Sequence, residues 1–218
     1  MTMNAIDAAV ENLYRAFATI PAPLEIDGCA HCIDDKNIDV LLRTNLRELA
    51  PEDLSSYASS AFLTVGDVQD YLYFLPRILE ISIKDSSWWP DIEVTGRALN
   101  ETNVKNWPAD QEQALSDFFG SVIASFVESP DRDDYYYIDD WLCAAGRAGL
   151  DVCPLLKIVE QTPDALFHYV TENAISLDKG KLSNHFWEPG DKGRDQIIAW
   201  MRSDEVKRIH QEVLRGAK

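Results

Sequence analysis

The sequence has little positive charge. Twenty lysine and arginine residues stand against 37 aspartate and glutamate residues, which gives a formal net charge of −17 over 218 residues. The deficit lies in residues 1–190, with 13 basic and 32 acidic residues, whereas residues 191–218 have seven basic and five acidic ones. Such a surface repels a phosphate backbone, so we expect no nucleic-acid partner. The same charge favours fast encounter with a basic protein.

Cysteine and long apolar runs are also scarce. Four cysteines in a chain of this length make no disulfide framework, which indicates a reducing, cytoplasmic setting. No segment approaches 18 consecutive apolar residues, so we predict no membrane span and no membrane partner. The first residues, MTMNAIDAAVENLYRAF, lack a basic segment followed by an apolar one, and no secretory signal is predicted.

The common catalytic motifs are absent as well. The sequence has no G-x-S-x-G elbow, no H-E-x-x-H site and no glycine-rich phosphate loop followed by Lys-Ser/Thr. Its four histidines stand in no recognisable constellation for general acid–base catalysis. Adjacent acids such as Asp34–Asp35 and Asp139–Asp140 can bind a cation, but such pairs arise by chance among 37 acids. We expect no catalytic residues and no cofactor, and the balance favours a protein that is not an enzyme.

What the sequence does contain is helical periodicity. Apolar residues recur every three to four positions along most of the chain. Clear examples are Ile6, Val10, Leu13 and Phe17; Val68, Tyr71, Leu72, Leu75 and Leu79; and Leu115, Phe118, Phe119, Val122, Ile123 and Phe126. We predict an all-α fold of eight to ten helices, as an irregular multi-helix bundle or a short HEAT-like helical array. Pro76 is expected to kink or break its helix.

Short breakers separate these predicted helices and none of them resembles a long linker. They include PAP at 21–23, SSWWPD at 86–91 and WEPGDKG at 187–193. We therefore predict a single helical domain over residues 1–218. The loop at 178–193 is the best boundary within it, so residues 191–218 are expected to form a terminal helical pair.

Residues 28–34, GCAHCID, place two cysteines and a histidine close together. Cys29, His31 and Cys32 include the C-x-x-C spacing that binds zinc or forms a redox pair. A structural zinc site needs further ligands, and the remaining cysteines and histidines are scattered; a thioredoxin-like pair needs a βαβ unit. We favour simple packing in a turn. The alternative is a metal-binding or regulatory helical protein, or an enzyme, that uses this cluster.

Residues 131–143, DRDDYYYIDDWLC, concentrate acids and aromatic residues. Six acids and one base lie between Glu128 and Asp140. A helix start explains one or two aspartates, because a carboxylate there accepts hydrogen bonds from free backbone N–H groups. The others, together with the tyrosines, suit a basic protein surface, since carboxylates steer and tyrosines supply contact area. In a helix over 134–147, Tyr137 and Trp141 are expected to point inward.

The predicted partner-binding residues follow from this segment and from the SSWWPD loop. A tandem tryptophan either fills the core or anchors an interface. The predicted set is Asp131, Asp133, Asp134, Tyr135, Tyr136, Asp139, Asp140, Trp88 and Trp89.

Residues 28–82 contain a C-x-x-C, an L-x-x-Y-x-x-x-A stretch, then G-D-x-x-D-Y and F-L-P-R-x-L-E. In this run the chain resembles an uncharacterised family of bacterial helical proteins. The matching positions are Leu54, Tyr57, Ala61, Gly66, Asp67, Asp70, Tyr71, Phe74, Leu75, Pro76, Arg77, Leu79 and Glu80. The resemblance brings no activity with it. We expect Arg77 to be a buried partner of an acid.

In character the chain is similar to immunity proteins, which protect bacteria from toxins and are small, acidic and poor in motifs. Nucleases and similar toxins need cationic clefts to bind phosphate, and an acidic face can neutralise such a cleft. We therefore predict a cytoplasmic immunity protein that binds and neutralises a basic, nuclease-like toxin domain.

The metal content of the protein separates this prediction from the alternative. Protein purified without chelator is expected to hold far less than one zinc ion per chain by elemental analysis, because the cluster offers fewer ligands than a structural site needs. Stoichiometric zinc would favour the metal-binding interpretation.

Overall fold

The computed structural model describes residues 4–29 and 34–216, and within these ranges the chain is helical. The eleven α-helices are α1 (Ala5–Ala16), α2 (Asp35–Arg43), α3 (Pro51–Ser60), α4 (Val68–Lys84), α5 (Ile92–Glu101), α6 (Ala109–Val127), α7 (Tyr137–Arg147), α8 (Cys153–Glu160), α9 (Pro163–Leu177), α10 (Lys192–Met201) and α11 (Asp204–Gly216). Three 3₁₀ helices lie at Leu46–Glu48, Val104–Asn106 and Arg132–Tyr136. The described residues form two isolated β-bridges and no strand. The predicted all-α class is confirmed.

None of the helices in the described ranges is both long and apolar enough to cross a membrane.

The helices begin where the sequence supplies capping groups. Asn4 accepts a hydrogen bond from the Asp7 backbone N–H at 2.8 Å and starts α1. At the start of α4, Asp67 and Asp70 each accept from the other's backbone N–H, a reciprocal capping box. α4 continues through Pro76 to Lys84, so of the expected kink or break the break does not occur. The lost backbone hydrogen bond is offset by the buried apolar stripe on both sides of the proline.

Contacts gather into two compact units, Met1–Leu115 and Ser116–Lys218. The prediction of one domain over 1–218 stays a prediction. Within the second unit, α11 packs along α9, and α10 packs against α7 and α8. The helical pair in residues 191–218 is thus integrated into that unit's packing.

A polar network joins α1, α4 and the loop before α3 in the first unit. Glu80 accepts hydrogen bonds from the Tyr14 hydroxyl at 2.7 Å and from Arg77 at 2.8 Å. Arg77 also donates twice to the backbone carbonyl of Leu49, at 2.9 and 2.7 Å. Burial acts to raise the pKa of Glu80, but the hydrogen bonds from Tyr14, Arg77 and Lys84 outweigh it and lower this pKa. Arg77 therefore has the structural role expected of it.

In the second unit, α7 and α10 approach closely at two glycines. A Cβ atom built on Gly193 would lie 2.5 Å from the Cα of Gly146. A Cβ atom on Gly146 would lie 2.5 Å from the ring of Trp187, which precedes α10. Any larger side chain at either position would push backbone or indole away, so this crossing requires glycine.

We predict that Gly146→Ala destabilises the protein by about 1–3 kcal/mol, because the added methyl group overpacks the crossing. Gly120→Ala is the matched control in α6, since its Cβ would have ordinary contacts of 3.8 Å and longer. That variant is expected to gain about 0.5–1 kcal/mol from helix propensity. Urea unfolding of both variants measures the difference, and equal stabilities would contradict the close crossing.

Candidate functional site

The acidic segment predicted from the sequence lies between α6 and α7 in the second unit. Asp131 precedes the 3₁₀ helix Arg132–Tyr136 and accepts a hydrogen bond from the Asp133 backbone N–H at 3.0 Å. Ser129 donates to Asp134 at 2.5 Å and accepts from the Asp131 backbone N–H at 3.1 Å. Asp131 and Asp134 therefore stabilise the turn that begins the 3₁₀ helix. A capping role was predicted for one or two aspartates of this segment.

The three consecutive tyrosines point in different directions. Tyr135 is buried at 7% exposure, whereas Tyr136 and Tyr137 are 56% and 51% exposed. The rings of Tyr136 and His168 on α9 meet edge to face with centroids 4.4 Å apart. The ring of Tyr137 lies 5.5 Å from that of Phe126 on α6. Each exposed tyrosine ring thus packs against one other aromatic ring.

Two of the predicted side-chain directions are corrected by this arrangement. Tyr135 was expected among the partner-binding residues and is buried, and Tyr137 was expected to point inward and is exposed. The cause is the 3₁₀ helix, which has three residues per turn, so that α7 begins only at Tyr137. An α-helix starting at residue 134 would have placed these rings differently.

Asp139 and Asp140, also predicted as partner-binding, serve the interior of the second unit. Both are half-buried. The pKa of Tyr169 is raised well above its usual value, mainly by burial and then by the negative charge of Asp139. Asp140 accepts a hydrogen bond from the side chain of Asn184 at 3.3 Å. These two acids sit on the inner flank of α7, where α9 and the following loop provide their partners.

Five of the exposed side chains of residues 128–137 are acids or tyrosines, and we call them the acidic tyrosine surface. They are Glu128, Asp131, Asp133, Tyr136 and Tyr137. The single base among these residues, Arg132, forms an ion pair with Asp164 at 2.5 Å, so a carboxylate already offsets its charge. The surface therefore combines three exposed carboxylates with two half-exposed phenol rings.

The tandem tryptophan belongs to the first unit, and its two rings differ in exposure. Trp88 is half-buried, whereas Trp89 is 59% exposed. Of the two predicted anchors, Trp89 has the exposure that an interface anchor requires.

The cysteine cluster is only partly described. Cys29 is exposed, whereas His31 and Cys32 lie outside the described residues. In residues 4–29 and 34–216, no three His, Cys, Asp or Glu side chains are grouped to hold a metal ion. The metal-binding prediction on Cys29, His31 and Cys32 stays a prediction.

Sequence reasoning missed the supports of the acidic tyrosine surface. His168 on α9 contacts Tyr136, although it is distant in sequence. Phe126 on α6 contacts Tyr137 and is separated from it by one loop. The apolar periodicity of α6 predicted that Phe126 packs against other apolar side chains. No sequence pattern predicted its contact with the Tyr137 ring.

The chain matches no known family model, no curated protein and no solved structure. The resemblance over residues 28–82 therefore stays a prediction.

The contrast between the tyrosines can be measured. Tyr135→Ala is expected to cost about 3 kcal/mol of unfolding free energy, because it removes a buried aromatic ring. Tyr136→Ala should change stability by less than about 1 kcal/mol, since its ring is half-exposed. Equal losses in denaturant unfolding would contradict the different burial of these neighbours.

Proposed function

We propose that this chain is an interaction protein whose acidic tyrosine surface binds a positively charged protein. One observation carries the proposal. Tyr136 and Tyr137 are exposed but held by His168 and Phe126, and exposed carboxylates precede them in the same short segment.

The physical support comes from two separate effects. Tyrosine offers a large, amphipathic contact area with few rotatable bonds, and rings that are already supported lose little freedom on binding. Exposed carboxylates raise the association rate with a cationic partner and disfavour anionic ones. The net charge of −17 extends this attraction beyond the surface itself.

The partner that fits best is a basic toxin domain of the nuclease type, which would make the chain a bacterial immunity protein. A nuclease binds phosphate through lysine and arginine side chains, so its active cleft is cationic. An acidic surface with aromatic contacts can occupy that cleft and exclude nucleic acid. The small, acidic and motif-poor character of the chain supports this partner over an enzyme's substrate.

The proposal predicts a genetic neighbour and a salt-sensitive complex. A large secreted protein that ends in a small basic domain should be encoded beside this chain, and the purified domain should bind it. We expect the association rate to fall at least about tenfold from low to physiological salt. Stopped-flow fluorescence over a range of salt concentrations measures this rate.

Charge reversal tests the surface directly. Glu128→Lys with Asp133→Lys leaves the Asp131 cap and the Ser129–Asp134 hydrogen bond intact. This double variant should lower affinity for the basic domain by at least about tenfold. Glu101→Lys with Asp110→Lys changes the net charge equally at exposed positions of the first unit and is the control. If the two double variants weaken binding equally, only net charge matters and the assigned surface is wrong.

A further inference from the structure

The first unit has a shallow apolar groove between the segment after α1 and the start of α4. Its volume is about 530 Å³, and it is lined by Thr19, Ile20, Pro21, Asp67, Val68, Gln69 and Leu72. Most of the lining is apolar, and Val68 is 41% exposed although it is a core-type residue. Leu24, in the same connecting segment, is 96% exposed. Apolar side chains left open in a depression of this size are typical of an interaction site.

Several carboxylates lie near the Asp67 side of this groove. Asp67 lines it, and the pKa of Asp70 is raised by burial and further by the charges of Asp67, Asp27 and Glu25, which places all four within electrostatic range. A hydrogen bond of 2.7 Å from the Gly66 N–H to the Asp27 carbonyl ties the loop with these acids to the start of α4.

The sequence supplies no cation to this region from its own segments. Residues 16–35 and 48–76 contain no lysine or arginine, although they contain nine aspartates and glutamates. An apolar depression beside several uncompensated carboxylates favours a ligand that is both apolar and positively charged.

We propose that this groove binds a short, cationic amphipathic segment of a partner protein. An apolar side chain of that segment fills the space between Ile20, Val68 and Leu72, and a neighbouring lysine or arginine pairs with Asp67. The open shape suits a peptide that lies along the surface more than an enclosed small molecule. A second copy of this chain is disfavoured as occupant, because two molecules that each carry −17 repel each other.

The groove belongs to the first unit and the acidic tyrosine surface to the second, so the two proposals stand separately. The probe is a fluorescein-labelled peptide of about 12 residues with leucines on one helical face and lysines on the other. The control peptide has the same sequence with glutamate in place of every lysine. Fluorescence anisotropy with the full chain measures affinity. We expect the lysine peptide to bind and the glutamate peptide not to bind.

Val68→Lys tests the groove itself, because it places a cation among the apolar lining. We expect it to weaken binding of the lysine peptide at least about tenfold. Val40→Lys is the matched control: Val40 is 37% exposed on α2 of the same unit and does not line the groove. Glu25→Gln with Asp27→Asn should also weaken binding and reduce its dependence on salt.

Several outcomes would overturn the inference. If Val68→Lys and Val40→Lys bind the lysine peptide with equal affinity, the groove is not the binding site. If the lysine and glutamate peptides bind equally well, the site does not recognise charge. Sedimentation that detects a dimer abolished by Val68→Lys would assign the groove to a second copy. Loss of peptide binding in the Glu128→Lys, Asp133→Lys variant, with Val68→Lys unaffected, would move the peptide to the acidic tyrosine surface.

Discussion

Pairing of carboxylates with a limited supply of donors governs the structure, because the chain has 37 acids and 20 lysine or arginine residues. A charge that is partly buried without a partner costs several kcal/mol, so the half-buried acids need hydrogen-bond donors within the fold. Glu80 uses Tyr14 and Arg77, Asp134 uses Ser129, and Asp140 uses Asn184. Many of the remaining acids are at the surface, among them Glu128, Asp131 and Asp133.

The two candidate surfaces use this remaining charge in different ways. The acidic tyrosine surface offers two supported rings beside exposed carboxylates, an arrangement suited to a broad protein contact. The groove instead offers a depression with Val68 and Leu72 in its wall and Asp67 at its side, which suits a single side chain of a peptide. We propose cationic protein ligands for both surfaces, which differ in the shape of the ligand that each suits.

The sequence predicts the fold well where the signal is local. The stripe from Val68 to Leu79 became α4, and the stripe from Leu115 to Phe126 became part of α6, because apolar periodicity reports directly which face is buried. Tyr135 and Tyr137 could not be placed, since the 3₁₀ start of this segment shifts every later residue by a fraction of a turn. The surroundings of Asp139 are supplied by α9, and the groove is formed by two segments that are separate in sequence. No local sequence pattern predicts such long-range contacts.

We propose that exposed carboxylates, set beside exposed tyrosine rings, form the contact with a basic protein. Hydrogen–deuterium exchange of the chain with and without the neighbouring basic domain tests it most directly, because it locates the contact without a substitution. The account predicts slower exchange at residues 128–137 in the complex. Protection confined to α10 and α11, whose sequence is the least acidic part of the chain, would contradict it.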